Sequence, residues 1–126
     1  MRKVAAILVL ALAAQASTEA FAADETIVVG VSDRGLASAA LLSGDYRDAA
    51  RRLESLRSDF ADDPARLINL GNAYAGMGRL KSARNAYQAA SFAPDTVLIT
   101  ADGRQSYSRE IARNAILRLK TNFAMR

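Results

Sequence analysis

The sequence predicts a mainly all-α chain: a superhelix of two helix-turn-helix repeats, then a short β-hairpin and a C-terminal capping helix. Three observations lead there. Apolar residues recur at helical spacing through the middle of the chain. The pattern echoes itself after 34 residues. Asp102-Gly103 then separates two β-prone runs just before a final amphipathic segment.

The first repeat is expected at about 33–62. Leu36, Ala37, Ala40 and Leu41 form one apolar stripe, broken by Ser43-Gly44-Asp45. Tyr46, Ala49, Ala50, Leu53, Leu56 and Phe60 form the next. The second repeat, about 63–94, opens on Asp63-Pro64, a good N-cap followed by a good first helical residue. Leu67, Leu70, Ala73, Tyr74 and Met77 mark its first helix, closed by Gly78. Leu80, Ala83, Ala86, Tyr87 and Ala90 mark its second, closed near Pro94. Gly44 and Gly78 are 34 residues apart, as are Ala49 and Ala83, Tyr46 and Leu80, Leu53 and Tyr87, and Leu36 and Leu70. Gly44 and Gly78 sit where a left-handed residue ends a helix. Gly71 and Ala83 are small where antiparallel helices would approach closely.

A hairpin is expected at 96–107, with Val97-Leu98-Ile99-Thr100 and Gln105-Ser106-Tyr107-Ser108 as its strands. The capping helix, 108–122, has Ser108 as N-cap, Glu110 in its first turn, and a buried stripe of Ile111, Ala112, Ala115, Ile116, Leu119 and Phe123. Solenoids need such a terminal cover.

The start of the chain addresses it for export. Met1-Arg2-Lys3 is basic, Val4 to Ala14 is an apolar run, and Ala20-Phe21-Ala22 supplies the small residues that a signal peptidase requires. Residues 1–22 are therefore expected to be a signal peptide, cleaved after Ala22, with the chain delivered to the periplasm of a Gram-negative bacterium. Residues 23–32 are expected to be a flexible leader, because Thr26-Ile27-Val28-Val29-Gly30 is β-prone but has no obvious partner strand. Asp24 to Val29 bears a short, degenerate resemblance to the box by which outer-membrane receptors engage their energy-transducing protein. The leader reading is preferred.

Composition narrows the chemistry. There is no Cys and no His among the 126 residues. Thiolate and imidazole catalysis and the usual zinc, copper and haem ligand sets are excluded. Asp59, Asp62 and Asp63 lie at a helix junction, where caps are expected rather than a metal. Gly71, Gly76 and Gly78 follow no strand and make no phosphate loop. No catalytic residue, cofactor or metal is expected, and the chain reads as a non-enzyme. Removing residues 1–22 leaves 15 basic and 12 acidic residues, too even a balance to argue for nucleic acid.

Leu67, Leu70, Gly71, Tyr74, Ala83, Tyr87 and Pro94 resemble the tetratricopeptide repeat pattern in order and nearly in spacing, with Leu67 where the family prefers Trp and Tyr87 where it prefers Phe. The first copy keeps Leu36, Gly44, Ala49 and Leu53, but has Ala37 for the first glycine and Ala40 for the tyrosine. The resemblance implies a protein-interaction or scaffolding module whose first helix in each repeat lines a concave groove. It points to Asn69 and Asn72 as groove residues, flanked by Ala65 and Ile68. Amides on a helix can clamp the backbone of an extended peptide. Asn69 holding the fold together is an equal alternative. The partner is expected to be a protein or peptide, of unspecified identity. A second surface is the basic strip Arg109, Arg113 and Lys120 on the last helix, which would suit anionic lipid or an acidic protein face.

Overall fold

A computed structural model describes residues 27–30, 35–56 and 61–124. The signal peptide 1–22, its cleavage point, the remainder of the expected leader, Asp33, Asp59 and Phe60 lie outside the described residues, as does the side chain of Phe123. The element order is α1 (Ser38–Leu42), α2 (Tyr46–Ser55), α3 (Pro64–Gly76), α4 (Leu80–Phe92), β1 (Val97–Ile99), β2 (Gln105–Tyr107) and α5 (Ser108–Ala124). The fold is tetratricopeptide-like and mostly helical, with one two-stranded sheet among the described residues.

The helix ends follow local chemistry. Asp45 caps α2 by accepting the Asp48 backbone N–H at 3.3 Å. Asp63 caps α3 by accepting that of Ala65 at 3.1 Å, with Pro64 as first helical residue. Both caps satisfy donors that a helix start leaves open. Gly44 (φ 79°) and Gly78 (φ 74°) close the turns within the two repeats in the left-handed region.

Helix α3 is the centre of the molecule and packs against α1, α2, α4 and α5. Its backbone comes so near α4 that a Cβ at Gly71 would lie 2.5 Å from the Tyr87 ring, and Ala83 is fully buried in the same seam. Between repeats, a Cβ at Gly76 would overlap the Tyr46 ring. The Tyr74 hydroxyl donates to Glu54 at 2.6 Å, tying α3 to α2, and Arg79 stacks on the Tyr74 ring. Buried Arg66 donates to the Leu53 carbonyl at 2.9 Å, so its charge serves the α2–α3 joint.

The C-terminal cover forms as expected. Ile111, Ala112 and Ala115 of α5 are buried and Ile116 and Leu119 half-buried. The hairpin pairs Val97 with Tyr107, Leu98 with Ser106 and Ile99 with Gln105. Its turn contains Asp102-Gly103, with Gly103 at φ 84°.

Three expectations are corrected. Residues 36 and 37 were expected within the first helix, yet α1 has only five residues and begins at Ser38. Gly35 (φ 79°) and Ala37 (φ 54°) are left-handed, so the chain turns there before it can helicate. The expected N-cap of α5, Ser108, is instead its first residue. The Ser108 hydroxyl accepts the Thr96 N–H at 3.0 Å and donates to Asp95, while the Asp95 carboxylate accepts the Arg109 N–H at 3.0 Å. The capping acceptor thus comes from the loop after α4. Last, Ile27–Gly30 is no solvated leader: Val28 and Val29 are buried, and Val29 forms an antiparallel bridge with Thr100. The Gly30 N–H donates to the Ile99 carbonyl at 2.9 Å and the Ala101 N–H to that of Val28 at 2.8 Å. The partner strand missing from the local sequence is the far edge of β1, about seventy residues away.

Candidate functional site: a groove that holds a backbone

Ala65, Ile68, Asn69 and Asn72 are spaced three and four residues apart on α3, so they share one helix face. All four are buried, Ile68 and Asn69 completely. What covers them is the chain's own segment Ile27–Gly30 together with α5. Val29 packs in one apolar cluster with Ala65, Ile68, Ile111 and Ala112. Val28 points the other way, into a cluster with Leu41, Leu53, Leu70 and Ala73. Adjacent side chains on opposite faces are what an extended backbone presents.

Three of the polar contacts go to that backbone. Asn69 Oδ1 accepts the Val29 N–H at 2.9 Å, and Asn69 Nδ2 donates to the Val29 carbonyl at 2.8 Å. One side-chain amide thereby pairs with both polar groups of one residue, as a neighbouring strand would. The same Nδ2 also donates to the Leu36 carbonyl at 2.8 Å. Asn72 Nδ2 donates to the Ile27 carbonyl at 2.9 Å and to Asn69 Oδ1 at 3.3 Å. The Tyr87 hydroxyl donates to Asn72 Oδ1 at 2.7 Å, which fixes the orientation of that amide. Burial pushes the Tyr87 phenol far up, so it stays a neutral donor. Among the described residues no buried side-chain nitrogen or oxygen lacks a partner. A buried polar network adds to a fold only when complete in this way.

The residues named from sequence are brought together on one face, and the amides of Asn69 and Asn72 hold the chain's own backbone, as the alternative of Asn69 holding the fold together expects. The residues missed were Ile27 to Gly30, Thr100 and the supporting role of Tyr87. Their one sequence signal is the run Ile27-Val28-Val29, too apolar to rest comfortably in water.

The basic strip is not gathered into one site. Arg109 is drawn into the fold, its guanidinium donating to the carbonyls of Ser91 at 3.1 Å and Ala93 at 3.4 Å, where a cation suits a helix C-terminus. Arg113 shares a shallow cleft with Arg109, Asp95, Tyr107 and Glu110, so two of the three strip residues meet and Lys120 stands apart. Lys120 lies by a different groove, beside Leu80, Lys81, Arg84 and Leu119. Among the described residues no group of three or more acidic side chains could hold a metal, and no helix is long and apolar enough to cross a membrane.

Residues 40–95 match the model of the tetratricopeptide repeat family, which supports a tetratricopeptide repeat protein. The match spans α2 to α4 and stops short of both the leader segment and the hairpin. Neither a curated protein nor a solved structure matches the chain.

Proposed function

We propose that this tetratricopeptide-type chain is a periplasmic protein-interaction module whose groove takes an extended peptide segment of a partner in place of its own residues 27–30. Tetratricopeptide repeats generally mediate protein–protein interaction and are generally non-enzymatic. The observation that carries the reading is the three-bond grip of Asn69 and Asn72 on the backbone of Ile27 and Val29. That grip reads backbone rather than side chain, so it would serve any extended segment with small apolar residues. The periplasmic address rests on the three-part pattern of residues 1–22.

A tethered occupant changes what an outside ligand must do. A segment on a short linker acts at an effective concentration on the order of millimolar. A partner would therefore gain by presenting a strand longer than residues 27–30.

The chain has no native Cys, so the groove can be locked shut. Val29 and Thr100 form a non-hydrogen-bonded antiparallel pair, since the flanking bonds run from Gly30 and Ala101. Such pairs have Cα atoms about 4.5 Å apart, within disulfide reach. The double variant Val29→Cys/Thr100→Cys should capture its envelope partner when reduced and lose it when oxidised. Equal capture in both states, read by cross-linked co-purification, would move the binding surface elsewhere.

A further inference from the structure

A second groove, of about 320 Å³, lies between α4 and α5. Its residues take no part in the apolar clusters or the side-chain bonds that hold Ile27–Gly30. The floor is Leu80, Ile116 and Leu119, all half-buried, and the rim is Lys81, Arg84 and Lys120, all exposed. No acidic side chain lines it. Among the described residues none of the three cations has an ion-pair or hydrogen-bond partner. Helix α4 begins at Leu80 without a side-chain cap, so its positive end adds to their field.

The walls say what shape fits. Leu80 and Arg84 are one turn apart on α4, as are Ile116 and Lys120 on α5. Residues 116–120 lie inside α5, so their backbone groups are bonded within the helix. An extended segment would find no backbone partners along that wall, whereas a helix satisfies its own backbone and sets its side-chain ridges into such a groove. The charge says what chemistry fits. A symmetric second copy would set the same three cations against each other. A bilayer would lie over the charged rim without filling the recessed floor.

We propose that the α4–α5 groove is a second docking site, and that its occupant is an amphipathic helix of a partner protein, with a leucine-like stripe bordered by Asp or Glu. The stripe covers Leu80, Ile116 and Leu119, and the carboxylates meet Lys81 and Arg84 on one bank and Lys120 on the other. The floor supplies affinity, and the rim sets partner choice and orientation. The site is independent of the groove around residues 27–30, which reads backbone and not charge.

Two fluorescent peptides test it, one helix with a leucine stripe flanked by glutamates and the same helix with lysines in their place. The unaltered protein should bind the glutamate peptide saturably and at least about tenfold more tightly than the lysine peptide. Lys81→Glu/Arg84→Glu/Lys120→Glu should invert that preference, with circular dichroism unchanged because all three positions are exposed. The Val29→Cys/Thr100→Cys variant should bind the glutamate peptide equally when reduced and when oxidised. Equal affinity of the unaltered protein for the two peptides overturns the proposal and needs no substitution. A preference that survives charge reversal in the folded variant overturns it too. Loss of the peptide on oxidation would move it to the groove around residues 27–30, and tighter binding of phosphatidylglycerol vesicles through the same three cations would reassign the site to a membrane surface. None of these results bears on whether the locked variant loses its envelope partner, so the two readings fail separately.

Discussion

In the second repeat α3 and α4 each run 13 residues and close on each other through Gly71, Ala83 and Tyr87. In the first, α2 has ten residues and α1 only five, although both repeats share the same glycine turn at 34-residue spacing. The missing turns of α1 are replaced by another kind of structure. Val28 of the leader segment joins Ala37, Leu41, Ala49 and Leu53 in the cluster that the first helix pair should have filled alone. A degenerate repeat has recruited a strand. The extended segment consequently sits among one full-length helix, α3, the stub α1 and the capping helix α5, and the side-chain bonds to its backbone come from α3, where the repeat is regular enough to aim Asn69 and Asn72 together.

The sharpest way to break that comparison is to remove the amide on which the replacement depends. Asn69→Leu leaves the Val29 N–H and the carbonyls of Val29 and Leu36 without partners in a buried site. Each such loss costs about 1–3 kcal/mol, so destabilisation of about 3 kcal/mol or more is expected in urea unfolding. Hydrogen exchange should show the Val29 amide opening well before those of α3 and α4. A loss below about 1 kcal/mol would mean that the leader segment contributes little and that the short first repeat stands without it.

A finer test compares the two tight seams directly. Gly71 faces Tyr87, which is fully buried and hydrogen-bonded to Asn72, whereas Gly76 faces Tyr46, which is only half-buried. Gly71→Ala should cost about 1–3 kcal/mol in thermal or denaturant unfolding, as overpacking of a closed site does. Gly76→Ala should cost less, because the Tyr46 ring can swing toward solvent. Tyr87→Phe isolates the polar share of the first seam: it removes one donor to Asn72 and should cost about 1 kcal/mol. An inverted order of the two glycine variants would show that the joint between repeats is more rigid than the joint within the second.

These differences mark what the sequence could and could not disclose. The helices of the second repeat were legible because a 3.6-residue apolar period, Asp63-Pro64 and Gly78 all act locally. Asn69 and Asn72 were singled out by the resemblance to the repeat family, which places them on the inner face of the repeat's first helix, where a polar side chain needs a partner. The occupant was not, because its evidence is a set of bonds between a side-chain amide and a backbone 40 residues away, and backbone groups carry no sequence signature. The early end of the first helix was hidden for a related reason. Leu36 and Ala37 continue the helical period, but Asn69 holds the Leu36 carbonyl and the turn forces Ala37 left-handed. At the other end of the chain, Ser108 looked like a cap and is displaced by Asp95, which follows a different helix and comes within reach only after folding.

That last junction offers the smallest expected effect and a control for the groove. Asp95 ties the loop after α4 to the start of α5, yet it is exposed, whereas the groove network is sealed. The Arg109 backbone N–H holds the Asp95 carboxyl below its ordinary value of 3.8, with the Ser108 hydroxyl and the charges of Arg109 and Arg113 adding to the same direction. A carboxyl whose folded value is depressed contributes fully at pH above its unfolded value and loses that contribution as pH falls through the folded one. The stability gap between the unaltered chain and Asp95→Asn should therefore be small and constant from neutral pH to about 5, then close as the pH drops below about 3.8. Asn69→Leu should show no such closure, since an amide does not titrate. Melting curves of the three proteins across that range make the contrast: a gap for Asp95→Asn that persists at the acid end would transfer the tether from the carboxylate to the Ser108 hydroxyl, which bonds the Thr96 N–H at every pH.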